Sequence, residues 1–313
     1  MKKALVFGAN SQAGSYLCEL LLEKGYKVYG TVRTSSYNLC GIEPRLELFW
    51  HVDLMRADRA GSIIRQVRPD EVYNFAARMH AEQSWTSPDH VLQINGRVVL
   101  EMLEALYQEV HQARFFQAGS ADCFGPVVGR TNADTPMRPD TPYGLAKVVA
   151  RESARIYRER KGLFACTGIF YNMESSRRSG AFFAQKVIQD VIEGKLPLQY
   201  SGLDSVRDWG YAPEYVEAAW RMLQANQPKD YIIATGEEHT CREFVEEALN
   251  QFGYGETEDT TLASLYTETG PKVASAMRVD PSKIEHELGW KATTRFKQVI
   301  QKLLEAKKVP VHG

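Results

Sequence analysis

The stretch ALVFGANSQAGSYLCELLLEKG, residues 4–25, decides the fold. Residues 4–7 form a short apolar run that stops at Gly8, and residues 16–24 carry apolar side chains at helical spacing with Gly25 as the stop. The order is strand, tight turn, helix. Outward from this unit the alternation repeats, with strands expected over 28–32, 46–52, 71–76, 114–117 and 164–170 and helical stretches over 57–67, 91–109 and 144–160. Such alternation builds a parallel sheet with crossover helices. The expected fold class is α/β, a Rossmann-like doubly wound parallel sheet with a smaller C-terminal lobe.

After Asn172 the rhythm changes to a polar, arginine-bearing stretch, followed by helices expected over 181–193, 213–224, 241–251 and 294–306 and a strand over 231–234. The division that follows assigns 1–171, plus about 207–235, to a dinucleotide-binding domain, and 172–206 with 236–313 to a substrate lobe.

Composition narrows the function classes. The 313 residues are 44% hydrophobic and 25% charged, an ordinary globular balance long enough for a large core. Lys and Arg number 38 against 39 Asp and Glu, a formal charge of −1, so nothing draws the chain to nucleic acid or an anionic membrane. Five scattered cysteines without CxxC spacing (Cys18, Cys40, Cys123, Cys166, Cys241) are read as reduced thiols. With no signal-peptide core and no long apolar run, the expectation is a cytoplasmic protein. The histidines lack metal-ligand spacing, so no metal site is expected.

Gly8, Asn10, Ser11, Gln12 and Gly14 fall in the turn between the first strand and first helix, where backbone amides can receive a pyrophosphate. The spacing is GxxSxxG, with serine at the middle position. At the end of the second strand, where an NAD enzyme carries an acid for the ribose hydroxyls, stand Arg33, Thr34, Ser35 and Ser36. A cation with hydroxyls suits the 2′-phosphate of NADP, which is favoured over NAD. Asp53, after the third strand, would meet the adenine amino group.

Tyr143 and Lys147 lie four residues apart at the start of a helix, so both side chains share one face. An ammonium there lowers the phenol's pKa and lets tyrosine act as a base near neutrality. With 15 tyrosines, one such spacing is expected by chance, and Tyr157 with Lys161 is a second. Context favours Tyr143, because it follows the strand-end segment QAGSADCFG (117–125), whose Ser120 would hydrogen-bond the same substrate oxygen and whose Asp122 would supply a carboxylate on the same side. Cys123 beside them is either a functional thiol or a small buried hydrophobe.

Together these residues resemble the extended short-chain dehydrogenase/reductase family, and within it the GDP-mannose 4,6-dehydratases. The likeness spans nearly the whole chain and is most specific in LDSVRDWGYAPEYVEAAWRMLQ (203–224) and DYIIATGEEHTCREFVE (230–246). It implies oxidation at carbon 4 of a nucleotide-linked hexose by NADP, loss of water across carbons 5 and 6, and return of the hydride to carbon 6. Carried over, Tyr143 is the base at carbon 4, Lys147 holds the nicotinamide ribose, Ser120 takes a threonine position, and Asp122 stands where the family has its glutamate acid/base. Further cofactor contacts are implied for Leu54, Ala76, Ala77, Arg78, Met173 and Arg178, and substrate contacts for His80, Ser84, Asn172, Lys186 and Arg207. A homodimer or homotetramer is implied through the helices over 91–106 and 144–157.

The departures fall on functional positions. Asp122 is about 1.5 Å shorter than glutamate, a displacement that can cost about a hundredfold in rate. Met173 replaces a histidine, Arg78 and Met79 replace Gln-Ser, and His90 replaces a tyrosine. The family's Arg-Pro-x-Glu becomes Gly270-Pro271-Lys272-Val273. Two alternatives therefore stand beside the dehydratase: an NADPH-dependent 4-ketoreductase or C4 epimerase, which needs only Ser120, Tyr143 and Lys147, and a non-catalytic NADP-binding sensor, which has no need of a tuned phenol.

Overall fold

The computed structural model describes residues 1–33, 39, 41–78, 82–127, 129–255, 261–270 and 275–308. The chain opens with β1 (Lys3–Phe7), α1 (Gln12–Glu23), β2 (Lys27–Val32), β3 (Leu48–His51), α2 (Arg59–Val67) and β4 (Glu71–Asn74). Then come α3 (Pro88–Leu92), a π turn (Gln93–Arg97), α4 (Val98–Glu109), β5 (Arg114–Ser120), the short β6 (Arg130–Thr131), α5 (Pro142–Lys161) and β7 (Phe164–Phe170). The single helix expected over 91–109 is thus two helices joined by a π turn, because Asn95 there is drawn inward to the backbone of Arg78.

Seven parallel strands form the sheet in the order β12-β7-β5-β4-β1-β2-β3, where β12 is Tyr231–Ile233. β1 is buried on both faces, which is why its sequence is a continuous apolar run. Ala4 and Val6 point into one layer with Leu17 and Leu21 of α1, and Leu5 and Phe7 into the other with Ile63, Met102 and Leu106. β1 sits between β2 and β4, so the strand order reverses there, and a crevice opens at the carboxyl edge.

The remaining elements are β8 (Asn172–Glu174), α6 (Phe183–Ile192), β9 (Leu198–Tyr200), β10 (Val206–Arg207), β11 (Trp209–Tyr211), α7 (Ala212–Gln224), β13 (His239–Thr240), α8 (Cys241–Phe252), β14 (Tyr266–Glu268), β15 (Arg278–Val279), α9 (Ser282–Leu288) and α10 (Phe296–Lys308). A second core joins α6, α8 and α10 around Trp209, Phe244 and Phe296. The short pairs β8·β11 and β10·β13 are not evident in the sequence, since two or three residues carry no periodicity. Ile284, Trp290 and Ala292 return to the layer beneath α1 and α7, so the chain rejoins the sheet domain within 282–292, a stretch the sequence assigns to the substrate lobe.

Among the described residues no helix is long and apolar enough to cross a membrane, and no group of three or more His, Cys, Asp or Glu side chains could hold a metal ion.

Candidate active site

The turn after β1 is built by sterics. Gly8 has φ +77°, and a Cβ there would stand 2.7 Å from the Ala76 amide nitrogen. A Cβ on Gly14 would stand 2.1 Å from the Gly8 carbonyl oxygen, so only glycine lets α1 begin this close to β1. Ser11 is the N-cap of α1, its Oγ accepting from the Gly14 amide at 3.0 Å, which explains a serine at the middle position. The first amides of α1 have no intrahelical acceptor and form an anion cradle. These observations fit a dinucleotide pyrophosphate.

Around the turn the expected cofactor residues spread as follows. Arg33 is exposed immediately after β2. Asp53 is exposed, its Oδ1 accepting from the Met55 amide at 3.0 Å, with Leu54 buried beside it. Ala76 donates its amide to Asn74 Oδ1 at 3.2 Å. Asn95 clasps the Arg78 backbone with two 2.9 Å hydrogen bonds, while the Arg78 guanidinium lies 3.2 Å from His90 Nδ1. Ser36 and His80 lie outside the described residues, as do Thr34 and Met79.

A cavity of about 330 Å3 opens beside the turn, and into it converge Ser11, Gln12, Ala77, Ser120, Asp122, Tyr143, Lys147, Asn172, Met173, Arg178 and Arg207. Gly8, Asn10, Gly14, Arg33, Asp53, Leu54, Ala76 and Arg78 lie outside its lining, as do Ser84 and Lys186. Ser84 is buried, and Lys186 is exposed on α6 with Nζ 5.4 Å from the Tyr200 ring centroid.

Tyr143 is placed by the helix start that the sequence marks. Thr141 caps α5 through a 3.1 Å hydrogen bond from the Gly144 amide, and Pro142 occupies the first turn. A Cβ on Gly144 would stand 2.5 Å from the Asp122 carbonyl oxygen, so this glycine lets the helix press against the Ser120–Asp122 turn. Ser120 Oγ donates to Asp122 Oδ2 at 2.6 Å. Lys147 is 4% exposed, with Nζ donating to the Ala118 carbonyl at 2.8 Å and lying 5.6 Å from the Tyr143 ring centroid.

The electrostatics differ from the expectation that lysine lowers the tyrosine. Burial, aided by the Asp122 charge, holds the Tyr143 phenol above its ordinary range, although Ser120 and Arg178 pull it down. Burial also brings Lys147 down to about 8. The physical reason is that desolvation is the largest influence on both groups and outweighs the charges and hydrogen bonds around them. Cys123 is a buried thiol pushed up to about 12 by desolvation, which makes it a packing residue and no nucleophile. Tyr157 hydrogen-bonds Glu104 on the far part of α5, away from the cavity.

A second cavity of about 470 Å3 shares Asn172, Arg178 and Arg207 with the first and continues towards Trp209 and Ser275. Arg207 is held in place by Nη1 to the Ser275 carbonyl at 2.9 Å and Nη2 to Ser275 Oγ at 2.8 Å. Arg178 lies 3.7 Å over the Phe182 ring and 3.4 Å from Glu174, whose carboxyl burial pushes up to about 7. Two guanidiniums thus stand at the junction of the cavities, donors of the kind that pair with phosphate oxygens.

Sequence reasoning misses three supporting residues. Asp208 accepts from the Thr235 amide (3.0 Å), Thr235 Oγ1 (2.9 Å) and the Gly236 amide (2.6 Å), anchoring the segment that bears Arg207. Asn95 and Glu174 are the others. Asp208 and Asn95 meet partners far along the chain, which no local pattern reveals, and Glu174 pairs with Arg178 within a stretch whose burial exists only in the folded chain.

A Rossmann sheet with serine, tyrosine and lysine converging at its carboxyl edge defines the short-chain dehydrogenase/reductase class. Solved structures agree on the fold: UDP-glucose 4-epimerase of Thermus thermophilus in complex with NAD matches with TM-score 0.86 at 22% identity, over 99% of this chain and 100% of that one. DesIV, a dTDP-glucose 4,6-dehydratase of Streptomyces venezuelae with NAD bound, matches with TM-score 0.85 at 20% identity over 98% and 97%. The family model for GDP-mannose 4,6 dehydratase matches residues 5–303. The GDP-mannose 4,6-dehydratase of Yersinia enterocolitica is 36% identical over 93% of this chain and 89% of its own, and the human enzyme of that name 34% over 97% and 90%. The chain belongs to the GDP-mannose 4,6-dehydratase family.

Proposed function

We propose that this protein is an NADP-dependent nucleotide-sugar 4,6-dehydratase acting on GDP-mannose or a close relative. The observation that carries the reading is the convergence of Ser120, Asp122, Tyr143 and Lys147 in one cavity with Asn172, Arg178 and Arg207. A hexose placed among the first four has its diphosphate at Asn172 and Arg207, with Arg178 left to the cofactor. Arg33 at the end of β2, where an acid would repel a 2′-phosphate, supports NADP over NAD.

The bound dinucleotide supplies a hydride acceptor and donor that is regenerated within each turnover. This chain's residues do the rest. Tyr143 Oη takes the proton of the 4-hydroxyl, with the Ser120 hydroxyl on the same oxygen. The Lys147 ammonium, still charged near neutrality, stabilises the phenolate form of Tyr143 that accepts this proton. Once carbon 4 is a carbonyl the proton on carbon 5 is acidic, and Asp122 removes it and returns it to the departing 6-hydroxyl as water.

One observation favours a second reading, the 4-ketoreductase: the Asp122 carboxylate accepts from Ser120 at 2.6 Å and is turned towards the carbon-4 chemistry. Incubation with GDP-mannose and catalytic NADP, followed by mass spectrometry, separates the two. Loss of one water without net change in cofactor supports the dehydratase. Failure to lose water, with NADPH consumed by a 4-keto sugar, overturns it.

The subunit arrangement is part of the reading. Leu92, Leu100, Leu145 and Ile156 are 39%, 41%, 47% and 47% exposed on α3, α4 and α5, so this face is apolar enough to pair with a second copy.

A further inference from the structure

Behind the dinucleotide turn runs a set of hydrogen bonds that the chemistry above does not use. Gln12, the first residue of α1, is 6% exposed. Its Nε2 donates to the Met173 carbonyl at 2.8 Å, and its Oε1 accepts from Ser175 Oγ at 3.0 Å. The Met173 carbonyl accepts a second hydrogen bond from Arg178 Nη1 at 2.7 Å, and the Ser175 carbonyl accepts from Gln185 Nε2 of α6 at 3.1 Å. Met173 lies on β8 directly after Asn172, so the amide of Gln12 ties the start of α1 to both the strand bearing Asn172 and the side chain of Arg178.

The chemistry of this position is specific. A primary amide donates from one end and accepts at the other, so it can satisfy a carbonyl and a hydroxyl at once. A carboxylate of the same shape accepts from Ser175 but faces the Met173 carbonyl with a second acceptor. Alanine leaves the Ser175 hydroxyl without that acceptor and the Met173 carbonyl with the Arg178 donor.

We propose that Gln12 is a positioning residue that couples the two ligand sites: a dinucleotide on the α1 N-terminus and a nucleoside diphosphate at Asn172 and Arg207 each tighten the binding of the other through its side-chain amide. The proposal rests on reading the turn as a dinucleotide site. A pyrophosphate on the first amides of α1 orders the turn that holds the Gln12 amide, the amide orders the Met173 carbonyl, and the carbonyl fixes the strand that bears Asn172. Linkage makes the effect reciprocal.

The test measures the Kd of GDP by calorimetry with and without saturating NADP, and the Kd of NADP with and without GDP, on the full chain freed of bound nucleotide. Each ligand is expected to tighten the other by about tenfold in the wild-type chain, equally in both directions. Gln12→Ala and Gln12→Glu are expected to reduce that factor to about twofold or less, whatever each does to the affinity of NADP alone. Ser175→Ala approaches the amide from the substrate side, and its partial loss of coupling separates positioning from any direct effect on the turn. Gln12→Glu failing where Gln12 succeeds distinguishes the donor from mere filling of space. Should Gln12→Ala not fold, judged by its thermal transition, Ser175→Ala decides alone. Coupling that survives in the variants, or that is absent from a wild-type chain binding both ligands, overturns the proposal. A wild-type chain that binds no dinucleotide overturns the reading of the turn and this proposal with it.

Discussion

Replacing Lys147 by methionine should abolish activity and yet stabilise the protein. Lys147 is 4% exposed and carries its ammonium among apolar neighbours, where burial lowers its pKa from the usual 10.5 to about 8. Below about pH 8 that ammonium is charged in both folded and unfolded chains, and the shift corresponds to about 3 kcal/mol of lost stability. Methionine has a similar length and no charge, so it removes the penalty. It also removes the hydrogen bond to the Ala118 carbonyl, worth about 1 kcal/mol, although that carbonyl keeps the Gln117 Nε2 donor at 2.9 Å. The net expectation near neutral pH is a gain of about 2 kcal/mol. The sign with pH follows from proton counts. Between about 8 and 10.5 the unfolded wild-type chain binds more protons than the folded one, so wild-type stability rises with pH and the advantage of the variant shrinks away. Urea unfolding at neutral pH and again near pH 10, followed by tryptophan fluorescence on protein freed of nucleotide, measures both. A variant less stable than wild type at neutral pH, or a difference unchanged across that range, would refute the argument that this lysine is held at a desolvation cost.

Two further outcomes follow from the site. Asp122→Asn removes the charge that helps hold the Tyr143 phenol high, so the acid limb of carbon-4 oxidation should move to lower pH while water loss falls by about a hundredfold or more. Following reduced nicotinamide against pH for both proteins tests this, and an unmoved limb would mean the two groups are not electrostatically linked. Leu145→Glu with Ile156→Glu should turn a wild-type dimer into a monomer in light scattering, since both side chains are 47% exposed on the same helix. A wild-type monomer would remove the case for pairing.

The local pattern of this chain determines much of it without the fold. Gly8 and Gly14 around α1, the apolar run of β1, and the Thr141-Pro142 start of α5 are short-range signals, because turns, caps and buried strands depend on residues within a few positions of one another. That is why the sheet strands and the main helices can be placed from sequence, and why Ser120, Asp122, Tyr143 and Lys147 can be named before any coordinates. What the tertiary structure alone decides are the relations between distant segments. Sequence could not tell that Ser120 donates to Asp122, that Gln12 turns from the phosphate turn to Met173 and Ser175, that Lys186 stays outside the cavity, or that residues 282–292 return to the sheet domain. Nor could it tell that burial holds Tyr143 high and Lys147 low, because desolvation is set by everything that packs around a group, and that packing exists only once the chain has folded.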